Sequence, residues 1–114
     1  MSLSETRNQE CIEFSAVKRN SWSLESYQLL WTGPGNGMAM VSGKIEHLAT
    51  KIESVIGGYN AEGSLKRAEF MQGFHGYGKD DPALLSAGEF SYLKKILEKK
   101  CPGVELVYPH FEHD

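Results

Sequence analysis

Tyr27-Gln28-Leu29-Leu30-Trp31-Thr32-Gly33-Pro34-Gly35-Asn36-Gly37-Met38-Ala39-Met40-Val41 is the stretch that decides the fold. Tyr27, Leu29 and Trp31 recur at every second position, the spacing that lines one face of a strand. A Gly/Pro/Asn connection follows, and then a second apolar run from Met38 to Val41. Two such runs around a short turn-forming loop predict a β-hairpin, with Asn36-Gly37 able to tolerate positive φ in the turn. The glycines at 33, 35 and 37 also resemble the spacing of a phosphate-cradling loop. Those loops lead from a strand directly into a helix. Here the glycines lead into Met-Ala-Met-Val with no Gly-Lys-Ser or Gly-Lys-Thr, so the reading is a plain turn.

Outward from the hairpin, Cys11 to Val17 alternates in the same way. Ile12, Phe14 and Ala16 fall on one side, and Glu13 and Ser15 on the other, predicting a preceding strand. Residues 1–9 are almost wholly polar and are expected to be a disordered tail, leaving 10–114 as a single domain. After Gly43 the period changes to that of a helix. Ile45, Leu48, Ala49, Ile52, Val55 and Ile56 share a stripe, predicting a helix over about 44–56 ended by Gly57-Gly58. His47 lies near the edge of that stripe and is read as a surface residue.

A second, shorter helix is expected over Ser64 to about Gln72, with Leu65, Ala68 and Met71 inward. A third begins at Ser86. Ser86 and Glu89 have the spacing of a capping box, and Leu85 and Phe90 that of the accompanying hydrophobic staple. Phe90, Leu93, Ile96 and Leu97 then form its apolar stripe. Lys94, Lys95, Lys99 and Lys100 crowd its C-terminal half, where positive charge favours the helix dipole. Pro102-Gly103 stops it, and Val104 to Tyr108 reads as a closing strand. Strands early and helices late predict an α+β fold: a mainly antiparallel sheet with two to three helices packed on one face.

The composition fits this. Hydrophobic residues make up 40% and charged residues 24% of 114 residues, enough for one globular core. The net charge of −3 argues against a nucleic-acid binder, which needs a basic surface to displace counterions from phosphates. No apolar run reaches signal-peptide or membrane-span length, so a cytoplasmic protein with no membrane partner is expected. With no secretion signal, Cys11 and Cys101 are read as free, buried thiols.

Two windows resemble the second half of a calcium-binding EF-hand loop: Leu65-Lys66-Arg67-Ala68-Glu69-Phe70 and Leu85-Ser86-Ala87-Gly88-Glu89-Phe90. In that family a hydrophobic residue precedes a bidentate Glu at the loop's end. Both windows depart from the pattern, since Gly58 and Gly78 stand where the first carboxylate ligand belongs. Pro82 occupies another ligand position, and Ala83 stands where the turn glycine belongs. Calcium needs six to eight oxygens, which neither window supplies. No metal and no cofactor are expected.

The chemistry-bearing segment is Gly73-Phe74-His75-Gly76-Tyr77-Gly78-Lys79-Asp80-Asp81. Glycine at this density excludes a packed helix or strand, so the aromatics and histidine sit on a loop that tucks them into the core or presents them to a partner. Phe74, His75, Tyr77, Lys79 and Asp80 are the candidate binding residues. No catalytic residue is assigned, because no nucleophile–base or zinc-ligand spacing is visible. The expected function is non-catalytic: an interaction, accessory or regulatory domain whose partner is another protein or a second copy of this chain. The alternative is a small enzyme or ligand-binding protein that uses His75 and its acidic neighbours in the 73–81 loop.

Overall fold

In a computed structural model, residues 11–19, 25–61, 63–78 and 80–111 are described. The expected tail at 1–9 and the candidate residue Lys79 lie outside them. The elements are β1 (Cys11–Lys18), β2 (Ser26–Thr32), β3 (Gly37–Ser42), α1 (Ile45–Tyr59), β4 (Arg67–Phe70), α2 (Ala87–Lys100) and β5 (Glu105–Val107). They form one α+β domain with a five-stranded sheet in the order β3-β2-β1-β4-β5.

The hairpin forms as its alternation requires. β2 pairs antiparallel with β3 in the register Tyr27↔Val41, Leu29↔Ala39 and Trp31↔Gly37. Its turn uses two glycines for different reasons. The positive φ falls at Gly33 (143°), where a Cβ would strike the Cys11 carbonyl, and not at Gly37. Gly37 is needed for space instead, because a Cβ there would run into the Trp31 ring. On its other side β2 pairs antiparallel with β1 through Phe14↔Trp31 and Ala16↔Leu29.

Residues 64–72 correct the expectation of a helix. Arg67–Phe70 is a strand, parallel to β1 through Ile12↔Ala68 and Phe14↔Phe70. The Lys-Arg-Ala-Glu run favours helix locally, but so short a helix is marginal without tertiary support. Pairing against the open edge of β1 satisfies the backbone and buries both Ala68 and Phe70. The side chains agree, since Arg67 Nη2 and Glu69 Oε2 meet at 2.8 Å. Residues two apart share a face on a strand and not on a helix. The closing strand β5 joins β4 in parallel, Ala68↔Leu106, so the sheet is mixed and carries two helices.

Both helices pack on the same face. Ile12, Phe14, Tyr27, Leu29, Val41, Ala68 and Phe70 from the strands meet Leu48, Ala49, Ile52, Val55 and Ile56 from α1 and Phe90, Leu93 and Leu97 from α2. Phe70 stacks between Phe14 (centroids 5.4 Å) and Tyr108 (4.6 Å). Gly57-Gly58 does not end α1, which runs to Tyr59, where Asn60 N–H closes the last turn on the Ile56 carbonyl. His47 is exposed, and its Nδ1 accepts the Lys44 N–H at 3.0 Å, capping the helix start. Ser86 caps α2 as its spacing predicts. Its Oγ accepts from Glu89 N–H at 3.2 Å, and Glu89 Oε1 accepts from Ser86 N–H at 2.8 Å. Among the described residues, no helix is long and apolar enough to cross a membrane.

Candidate functional site

Among the described residues, the second face of the sheet carries no helix. Paired strand residues point the same way, so the register places Met38, Leu30 and Ser15 in one row and Met40, Gln28 and Val17 in the next. Met38 and Met40 are 57% and 58% exposed, well beyond what a strand residue bound for the core would show. Met71, directly after β4, is a third exposed methionine, and its N–H donates to the Phe14 carbonyl at 2.8 Å.

The connection from Met71 to Leu85 closes one end of this face. β4 pairs with only the first half of β1; the second half is met by the returning chain. Val17 forms an isolated antiparallel bridge with Leu84, and Lys18 N–H donates to the Ala83 carbonyl at 2.7 Å. Val17 and Leu84 are consequently buried, though neither belongs to the main core. Asp81 fixes the approach: its Oδ1 accepts from Ala83 N–H at 2.9 Å, the local turn that aspartate favours.

Within the connection, Phe74 and Tyr77 bracket a tight turn with Gly76 at φ 82°, and Tyr77 N–H donates to the Phe74 carbonyl at 2.8 Å. Their rings meet edge to face at 5.6 Å. Both are half-buried and neither enters the core, so the aromatics are not plugs beneath the loop. Tyr77 instead anchors a polar chain. Its hydroxyl accepts from Arg19 Nη1 at 2.6 Å, with the guanidinium 5.5 Å from the ring centroid. Arg19 Nε and Nη2 donate to Gln28 Oε1 at 3.0 and 2.8 Å, and Gln28 Nε2 reaches Met38 Sδ at 3.1 Å. The loop is thereby tied to the methionine end of the open face.

The remaining candidates divide. His75 and Asp80 are exposed at the tip, and His75 makes no hydrogen bond among the described residues. Asp81 is committed to the turn, and among the described residues neither Asp80 nor Asp81 pairs with His75. Both thiols are unpaired, but only Cys101 is buried; Cys11, at the start of β1, is half-buried, which corrects the expectation for it. Burial pushes the Cys11 thiol up, reinforced by the Glu69 carboxylate, and burial likewise raises Cys101. A thiol held protonated is a poor nucleophile. The EF-hand-like windows are used otherwise: Glu69 lies on β4, while Glu89 caps α2 and pairs with Lys18 Nζ at 3.3 Å.

Met38, Met40, Arg19 and Gln28 were not singled out by the sequence reading. The signal lay in the hairpin alternation, which places Met38 and Met40 opposite Val41 and Ala39 and away from the stripe of α1. No known protein-family model matches the chain, and no curated protein matches it.

Proposed function

We propose that this domain is a non-catalytic protein-interaction module that binds through the open sheet face and the loop beside it. The observation that supports this best is the exposure of Met38 and Met40 on a face that neither α1 nor α2 covers, joined through Gln28 and Arg19 to Tyr77. Methionine is flexible and polarisable, which suits a surface that must fit a partner. Tyrosine and arginine are the residue types most often found at binding hot spots. Exposed apolar side chains gathered at one end of a sheet, with polar groups around them, are the common composition of a contact patch.

In this reading Phe74 and Tyr77 form the shoulder of the patch, and His75 and Asp80 supply polar contacts from the tip. The enzyme reading draws less support, because His75 has no carboxylate partner among the described residues and burial pushes both thiols up.

The test is comparative capture from the native cell with the wild-type chain, His75→Ala and Tyr77→Ala. Each variant is first checked for an unchanged melting temperature. A protein retained by the wild type and lost with either variant is the expected result. Partner recovery that survives both substitutions would remove the loop from the site.

A further inference from the structure

The two edges of the sheet are built differently. β5 is three residues long, carries Glu105, and is followed by Pro109, which are the usual protections of an exposed edge. β3 has none of them. It is six residues long, and no charged residue or interior proline occurs in it; indeed no charge occurs anywhere between Glu25 and Lys44. Among the described residues, no strand pairs with its outer side.

The direction of the unpaired groups follows from the register. Gly43 N–H donates to the Glu25 carbonyl at 2.9 Å, so the backbone groups of Gly43 face β2. Peptide groups alternate along a strand, and the β2–β3 register is unbroken. The N–H and C=O groups of Ala39 and Val41 therefore serve β2, and those of Met38, Met40 and Ser42 point outward.

We infer that this edge pairs with β3 of a second copy in an antiparallel, two-fold arrangement centred on Met40. That register sets Met40 opposite Met40 of the second copy, and Met38 opposite Ser42 of the second copy. Every outward donor and acceptor on both strands then has a partner. Ala39 falls opposite Val41 of the second copy on the helix-covered face, and the methionines adjoin on the open face. A two-fold axis brings a strand against itself, so any charge on it would meet its own kind. The uncharged β3 is suited to that apposition, whereas β5 would set Glu105 close to its equivalent. The product is one continuous sheet whose open faces adjoin. The inference rests on the backbone of the edge and does not require the 73–81 loop to bind anything.

A contact carried mainly by strand pairing is at the small end of interfaces, so a dissociation constant on the order of micromolar is expected. Sedimentation equilibrium of the full chain from about 1 μM to about 1 mM should show a monomer–dimer equilibrium. Amide exchange should show Met38, Met40 and Ser42 protected only at concentrations where the dimer forms, with Ala39 and Val41 protected throughout. Met40→Pro removes an N–H that points away from β2 and should weaken association about thirtyfold, the loss of two symmetry-related hydrogen bonds. Met40→Lys leaves the backbone intact and should weaken it at least about tenfold by like-charge contact. Circular dichroism confirms that each variant is folded. A wild-type chain that stays monomeric at about 1 mM overturns the inference, including when the edge accepts a strand from another protein. So does a dimer that leaves the outward amides unprotected or is indifferent to both substitutions.

Discussion

The two faces of the sheet share the same strands and the same alternation, yet one is sealed and the other open. Phe14, Leu29 and Val41 point towards α1 and α2 and are buried; Ser15, Leu30 and Met40 are their chain neighbours and point away. Alternation sorts residues into two sets. It does not say which set is covered, because that depends on where the helices land. Here the apolar stripes of α1 and α2 are both spent on one face. Among the described residues, the opposite face receives only the 71–85 connection, which buries Val17 and Leu84 at one end and leaves Met38 and Met40 exposed at the β3 end.

If the sealed face is where stability resides, the largest loss should come from its centre. Phe70→Ala should cost about 3–5 kcal/mol, measured by urea unfolding of the isolated chain. The ring lies between Phe14 and Tyr108, and the strand carrying it has only four residues. A loss below about 1 kcal/mol would mean that β4 is not part of the core sheet.

Much of this face was legible in the sequence, for a physical reason. Ile45, Leu48, Ile52 and Ile56 repeat with a helical period over enough turns to leave no alternative, and Ser86 with Glu89 marks a helix start by hydrogen-bond chemistry that needs no tertiary context. Arg67–Phe70 was not legible. Its local preference is helical, and only the open edge of β1, set by residues far away in sequence, makes it a strand. The candidate site was legible in part. The glycine content of 73–81 identifies a loop, but Arg19 and Gln28 join Tyr77 only through folding. The exposure of Met38 and Met40 depends on helices that pack elsewhere.

Tyr108 sharpens the comparison from within the sealed side. Its hydroxyl is buried and has no hydrogen-bond partner among the described residues, and burial raises its pKa. The neutral form is therefore favoured in the folded state. Its contribution is fully present below the unfolded tyrosine value of about 10 and is lost as pH rises beyond it. Tyr108→Phe should gain up to about 1 kcal/mol at neutral pH by removing the unpaired hydroxyl. It should also make the alkaline loss of stability shallower, as followed by thermal melts between neutral pH and pH of about 11. Destabilisation at neutral pH would show that the hydroxyl has a partner in the folded protein.

Ser86→Ala tests the anchoring of the helix cover at its margin. The hydroxyl accepts Glu89 N–H, and the return bond from Ser86 N–H to Glu89 Oε1 needs only backbone. Half of the box survives the substitution, so the expected loss is about 1 kcal/mol. A loss near zero would place the start of α2 elsewhere.

The smallest expected effect is the one that separates the faces most sharply. Met38 is 57% exposed on β3, one residue from the half-buried Ala39, and its sulfur meets only the Gln28 amide among the polar groups described. Met38→Ser removes an apolar side chain that already stands mostly in water, so folding gains and loses little by the change. Unfolding of the monomeric chain, measured at concentrations too low for self-association, should shift by no more than about 0.5 kcal/mol. Partner capture should nevertheless fall, because the apolar surface that a partner would cover is gone. The pairing of a large binding loss with a small folding loss cannot arise on the sealed face, where every contact serves both. If Met38→Ser instead costs as much as a core truncation, the face is covered in the folded chain, and the distinction between the two sides of the sheet disappears.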